Sequence, residues 1–426
     1  MKTFQNTIAL LVSVFLCYSG TITGINQAKP ANEKNKEVRT VRTPRNLFVE
    51  AGYKQEDIDR KVEKAYFDLF EGPNRIYFQV GDSMGYVSDL KNHDARTEGL
   101  SYGMMVAVQL NKKDVFDRIW RWSKKYLQHQ DGPREGYFAW SFNPQTMQRN
   151  SEGSASDGEL YYITSLLFAS NRWGNNGGIN YYAEARRILD NMWKKDGTGN
   201  IYNLINVEHK QICFVPEGKA YNWTDPSYHL PAFYEVWAEY AKDGHEDFYK
   251  ACADTSRAFL HRACHPITGL NADYTEFSGK PLGFGRMPSV FRYDSWRVPM
   301  NIAMDYAWYG KDKTWQADYA KRFQGFMRLQ GINTFVDQYN LDGTTPENIL
   351  QAGGFQKLRH SIGLVGTAAA TTMMMTEDKK MDFVHALWNE KLEPYNDTYF
   401  DPYYDGLLYL FSLMHLSGKY QIVRSV

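Results

Sequence analysis

The chain has 426 residues, 43% of them hydrophobic and 23% charged, a composition that supports a large buried core and excludes a disordered protein. Lys plus Arg and Asp plus Glu stand at 49 each, so no positive field attracts nucleic acid and no net charge selects a polyanion; a neutral partner is expected. Aromatics reach 15%, with 30 Tyr and 11 Trp, and such rings suit sugar faces as well as helical cores.

In chain order, Met1 to Asn6 carry a charged start, Thr7 to Cys17 form an apolar run, and Ser19, Gly20, Thr21 and Thr23 offer small residues for cleavage. This pattern predicts a signal peptide over 1–23, too short for a permanent membrane span, and hence export to the periplasm or the exterior. Cys17 is a poor lipid-attachment site because the bulky Leu16 precedes it. Residues 24–45, polar and interrupted by Pro30 and Pro44, read as a flexible leader, with one catalytic domain over 46–426.

Beyond the leader, apolar residues recur at helical spacing in segments near 54–70, 96–110, 113–129, 157–171, 179–194, 226–242, 245–262, 294–308, 312–329, 361–375, 378–388 and 402–417. No alternating strand longer than a few residues competes with them, so the expected class is all-α. Short joints such as Asn111-Lys112 and Gly244 close even segments onto the following odd ones. Even segments are rich in Gly, Ala, Ser, Met and Leu. Odd ones, such as 113–129 with Val115, Phe116, Ile119 and Trp122, carry a single apolar stripe. The pattern predicts six hairpins in a double ring, an (α/α)6 barrel with the even helices inside; a helical solenoid would need a repeat of fixed length, which is not present.

Cys213, Cys252 and Cys264 survive processing, an odd number best read as buried free thiols. His229, His261, His265 and His360 are scattered rather than clustered, so neither metal nor cofactor is expected. A monomer is expected.

Acids fall at the starts of successive even segments: Glu98, Asp157, Asp225, Asp294, then Asp401 with Asp405, with His360 and Ser361 at another start. Any one of them alone reads as a helix cap, an interaction that stabilises by ~0.5–2 kcal/mol. Their neighbourhoods ask for more. Arg96-Thr97-Glu98-Gly99-Leu100-Ser101-Tyr102, Ser156-Asp157-Gly158-Glu159, Trp223-Thr224-Asp225-Pro226-Ser227-Tyr228 and Arg292-Tyr293-Asp294-Ser295-Trp296-Arg297 each surround an acid with hydrogen bonders and rings. That chemistry holds a neutral, polyhydroxylated ligand over carboxylates. Cleaving a glycosidic bond requires one carboxylic acid and one carboxylate in different environments. Glu98, beside Gly99, Leu100 and Tyr102, is placed to stay protonated, while Asp294, one turn before Arg297, is placed to stay ionised.

At these residues the sequence resembles glycoside hydrolase family 8, over roughly 46–420, and within it the reducing-end xylose-releasing exo-oligoxylanases. Arg96 to Met105, Glu135 to Phe142, Ser156 to Glu159, Phe168 to Gly174, Thr224 to Pro231 and Tyr293 to Arg297 carry the likeness. The resemblance implies an inverting (α/α)6 enzyme acting on β-1,4-linked xylo-oligosaccharides, with Glu98 as general acid, Asp294 as general base and Asp157 gripping the distorted sugar. It also implies that Trp140, Tyr228, Tyr293 and Arg297 line the cleft or orient the acids. The exo-acting branch closes its cleft with a loop carrying Leu-His-Pro; here the stretch reads Leu358-Arg359-His360-Ser361, which assigns the wall to His360 with altered neighbours. An endo-xylanase or other β-glucanase of the same family, a polysaccharide lyase on the same barrel and a non-catalytic glycan-binding protein are the competing readings.

Overall fold

The computed structural model describes residues 44–283, 289–347, 357–375 and 381–425, all within a unit that runs from Pro44 to Val426. The expected signal peptide and most of the leader lie outside the described residues. After a short turn, α1 (Leu47–Glu50), come the helices α2 (Gln55–Phe70), α3 (Thr97–Gln109), α4 (Lys113–Tyr126), α5 (Ser156–Trp173), α6 (Tyr181–Met192) and α7 (Pro231–Tyr240). They are followed by α8 (Glu246–Ala263), α9 (Arg297–Trp308), α10 (Lys313–Gln330), α11 (Ile362–Ala370), α12 (Asp382–Asn389) and α13 (Tyr404–Leu416).

Burial separates these helices into two rings. Every residue of α11 and α13 is buried, whereas α4 buries only the stripe of Phe116, Ile119, Trp120 and Trp122 with two small or paired polar neighbours. A helix buried on all sides belongs inside, and a one-sided helix belongs against it. Contacts run from α3 to α5, α7, α9, α11 and α13 and return to α3, which closes the inner ring. Outside, α4, α6, α8, α10 and α12 each pack on the inner helix that precedes them, and α2 packs on α13, so the first helix completes the last hairpin. The architecture is the (α/α)6 barrel. Small residues let the inner helices approach: a Cβ on Gly158 would stand 2.5 Å from Thr97, well inside contact distance.

Two segment starts differ from the sequence reading. The segment expected from 226 begins as a 3-10 turn, Pro226–Tyr228, and α7 starts only at Pro231. Proline at a first helical position is tolerated, but it drives the preceding residue out of the helical region, and Leu230 accordingly has φ −118° and ψ 70°. The segment expected from 294 opens with a 3-10 turn, Tyr293–Trp296, before α9. The chain also forms seven short strands among the described residues. Of these, β3 (Ala95–Arg96), β4 (Ser141–Asn143) and β5 (Gln148–Ser151) make a small antiparallel sheet that leads into α3. Cys213, Cys252 and Cys264 are buried and free, as expected. No helix among the described residues is long and apolar enough to cross a membrane.

Candidate active site

Inner helices begin at one rim, and the rim acids divide by what their oxygens do. Asp225 accepts the Ser227 N–H (2.7 Å) and Asp401 accepts those of Tyr403 (3.1 Å) and Tyr404 (2.9 Å), so both are caps. Asp405 ties α13 to α11, accepting the Gly363 N–H and the Tyr395 hydroxyl. Glu98, Asp157 and Asp294 are different. The positions before α3 and α5 are Arg96 and Ala155, neither of which caps through its side chain. Glu98 and Asp157, one residue inside those helices, and Asp294, in the 3-10 turn, converge on one guanidinium, while the other oxygen of Asp157 accepts the Gly158 N–H (2.9 Å).

That guanidinium is Arg297, buried at 3% exposure. Its Nη1 reaches Glu98 Oε2 (2.9 Å), the Tyr102 hydroxyl oxygen (2.9 Å) and Asp157 Oδ2 (3.0 Å). Its Nη2 donates to Asp294 Oδ1 (3.0 Å) and lies 3.8 Å from Asp225 Oδ2. Tyr228 lies face-on to the guanidinium, 5.4 Å away, and is itself buried, so it supports Arg297 from within the barrel. A rigid planar fork holds an acid on each terminal nitrogen and keeps them apart, which a flexible ammonium could not do.

Four carboxylates around one cation cannot all ionise cheaply in a buried site. Burial pushes Glu98 up to about 7 against the attraction of Arg297, with Asp157 and Asp294 adding to the rise. Burial likewise raises Asp157, and raises Asp225 strongly with the Asp294 charge adding to it. Glu98 and Asp294 keep side-chain exposures of 17% and 27%, and they face the solvent side of the cluster. Above them lies a cavity of about 240 Å³ lined by Arg96, Glu98, Tyr293, Asp294, Tyr403 and Tyr404, among others. Through Asp89, Lys91, Asp401 and Tyr403 it adjoins a second cavity of about 420 Å³, bounded by Arg359 and the loop from Asp397 to Tyr403.

The backbone at Asp294 is held under strain. Tyr293 has φ +35°, a conformation that costs a non-glycine residue on the order of 1–3 kcal/mol. Its neighbours enforce it: the Tyr404 hydroxyl donates to the Tyr293 carbonyl (2.8 Å), and the Tyr293 ring stacks on Trp296, whose indole N–H is tied to the Asp337 carbonyl. Asp294 is thereby turned toward Arg297 at the cavity floor.

The structure brings Glu98, Asp157, Asp294, Arg297 and Tyr293 together, with Tyr228 behind them and Asp157 beneath the cavity at 4% exposure. Trp140 acts on the site through the backbone. Its carbonyl accepts the Thr97 N–H (2.9 Å), anchoring the start of α3, and its ring lies 5.5 Å from the Arg96 guanidinium. His360 is not among the residues lining the cavity over the acids. Its Nδ1 bonds to the Phe335 carbonyl (2.7 Å), its ring sits edge-on to Phe335, and its Nε2 is buried without a partner. Sequence reasoning passed over Tyr403, whose hydroxyl donates to Glu98 Oε1 (3.1 Å) and whose ring occupies the space a Cβ on Gly99 would need, at 2.3 Å. The run Asp401-Pro402-Tyr403-Tyr404-Asp405 carries that signal in its paired tyrosines as well as in its acids.

A helical double ring with a protonatable acid and a second carboxylate facing one sugar-sized cavity defines a glycoside hydrolase. The chain matches the sequence pattern of the glycosyl hydrolases family 8 over residues 83–414, and it belongs to that family. It is 38% identical over 383 residues, 88% of this chain and 96% of the relative, to a reducing-end xylose-releasing exo-oligoxylanase of Paenibacillus barcinonensis. Endoglucanase A of Acetivibrio thermocellus is more distant, at 28% over 77% of this chain and 63% of its own. The solved structure of the Paenibacillus enzyme with xylose superposes with a TM-score of 0.82 at 36% identity, covering 90% of this chain and 98% of that one. A family 8 xylobiose complex from Teredinibacter turnerae gives 0.82 at 37%, covering 89% and 98%.

Proposed function

We propose that the protein hydrolyses β-1,4-linked xylo-oligosaccharides with inversion and releases xylose from the reducing end. In this reading Glu98 protonates the leaving oxygen, Asp294 draws the proton from the attacking water, and Asp157 with Arg297 sets their positions. The observation that carries it is the Arg297 fork, which holds Glu98 on one terminal nitrogen and Asp294 on the other while burial holds Glu98 at about 7, so that acid and base coexist near neutrality. Relatives that match over nearly their whole length are named for reducing-end xylose release, which supports the choice of substrate. NMR of early products from xylotriose tests the mechanism: the α-anomer at the new reducing end is expected, and the β-anomer removes Asp294 from the role of base.

His360 is proposed to hold the reducing-end sugar. With its Nδ1–H given to the Phe335 carbonyl and burial lowering its basicity, the imidazole is neutral, and its buried, unpartnered Nε2 is the acceptor a sugar hydroxyl would have to reach. Xylotriose reduced to its alditol should then be a poor substrate, and His360→Ala should narrow the difference. Equal wild-type rates on both sugars would favour the endo-acting reading, for which the second cavity adjoining the first offers room. The same proposal takes the enzyme as an exported monomer, tested by mass of the secreted mature chain and by sedimentation.

A further inference from the structure

The largest of these cavities lies far from the acids. About 620 Å³ in volume, it sits at the C-terminal ends of the inner helices, between α2, the α3–α4 turn and residues 418–421. Gln109 at its floor is eleven residues along α3 from Glu98, roughly 16 Å at the rise of a helix. It shares no lining residue with the cavity over the catalytic acids.

Two polar groups in its wall are buried and unsatisfied. The Tyr66 hydroxyl belongs to a residue 3% exposed and has no hydrogen-bond partner; Arg172 Nε is likewise buried and unpartnered. Arg172 has no carboxylate or other partner among the described residues, although burial disfavours its charge. Neither of those two atoms has surface open to the cavity, but the terminal nitrogens of Arg172 are not buried with them, and a guanidinium in a cavity wall without a counter-charge is a place for an anion. The Lys112 ammonium, 4.7 Å from the covered Tyr66 ring, adds positive charge, and Phe67, 47% exposed at the rim, offers a ring to a sugar. Lys419 is engaged with Asp59. Glu63 and Glu71 stand exposed on the rim, which disfavours a multiply charged polyanion.

We propose that this cavity is a second carbohydrate site, taking a sugar that bears a single carboxylate, a uronic acid carried on a xylan chain. Arg172 receives the carboxylate through its terminal nitrogens, and Phe67 takes a sugar face. The identity of the backbone sugar rests on the proposed xylo-oligosaccharide function; the carboxylate does not.

Affinity electrophoresis of the mature protein tests it, in gels containing glucuronoxylan or unsubstituted linear xylan. Glucuronoxylan should retard the protein more strongly, free glucuronate should relieve the retardation, and Arg172→Gln should weaken the glucuronoxylan affinity at least ~5-fold. Tyr66→Phe should leave the affinity unchanged and the melting temperature unchanged or higher, since its hydroxyl is closed off from the cavity and unsatisfied. Both variants should hydrolyse xylotriose at the wild-type rate. Equal retardation by the two polymers, wild-type retardation of Arg172→Gln, or relief by inorganic phosphate as complete as by glucuronate would each overturn the assignment. Failure of the wild type to cut xylotriose would instead overturn the proposed function while the retardation data still decide the second site.

Discussion

Two buried arginines gather acids inside this barrel, and they do opposite things with them. Arg257, 6% exposed, grips Asp305 with two bonds (2.9 and 2.7 Å) and also donates to Glu235 (3.0 Å) and Asp254 (2.9 Å). Lys311 adds a second cation on Glu235, and Gln316 donates to Asp305. Arg297 faces Glu98, Asp157, Asp225 and Asp294 at once, no two of its acids share a second cation as near, and both its own Nε and Asp225 Oδ2 are left unpartnered. A saturated cluster locks α7, α8 and α9 together. An under-neutralised one keeps protons on groups that would otherwise lose them, and so remains chemically poised.

The sharpest way to break the contrast is Arg297→Lys, which keeps a charge but cannot place one nitrogen on Glu98 and another on Asp294. Turnover of xylotriose should fall by ~10⁴-fold, the upper range for losing positioned acid–base groups, with the fold retained by circular dichroism. Removing the reacting groups one at a time should cost less. Glu98→Gln and Asp294→Asn are each expected to lower turnover at least ~100-fold at nearly unchanged melting temperature; a variant with wild-type activity would strike that residue from the mechanism.

A smaller effect follows from the raised pKa of Glu98. A general acid must be protonated, so kcat/KM should decline as pH rises through about 7, approaching tenfold per unit beyond it. A profile flat to pH 9 would assign the proton to another group. The least effect on catalysis is expected at the other arginine: Arg257→Met should leave kcat per folded molecule unchanged while lowering stability by ~3–5 kcal/mol, because it strands buried carboxylates. Denaturant unfolding measures the loss, and a parallel fall in kcat would mean the two clusters are coupled.

Gly99 links sequence and site most directly. It lies next to Glu98 in a run that the sequence already marks, yet only the fold shows why a side chain is excluded: Tyr403, some three hundred positions later, fills that space and bonds to Glu98.

What the sequence by itself determined is what local periodicity encodes. The twelve helices, their division into an inner and an outer set, the free thiols and the placing of Glu98, Asp157 and Asp294 at inner-helix starts all follow from spacing and composition within short windows. Tertiary structure decided whatever depends on partners far along the chain. That Asp225 and Asp401 are held chiefly by backbone N–H groups, Glu98 and Asp294 by a guanidinium, and Asp157 by both the Gly158 N–H and that guanidinium, is settled by which groups the closed ring brings to each side chain. The left-handed Tyr293 is imposed by the Tyr404 hydroxyl from the last inner helix. The protonation of Glu98 arises from burial, opposed chiefly by Arg297 and also by the neighbouring Arg96, and aided by two acids that reach it only when the ring of helices closes, since electrostatic shifts depend on distance and desolvation rather than on sequence separation.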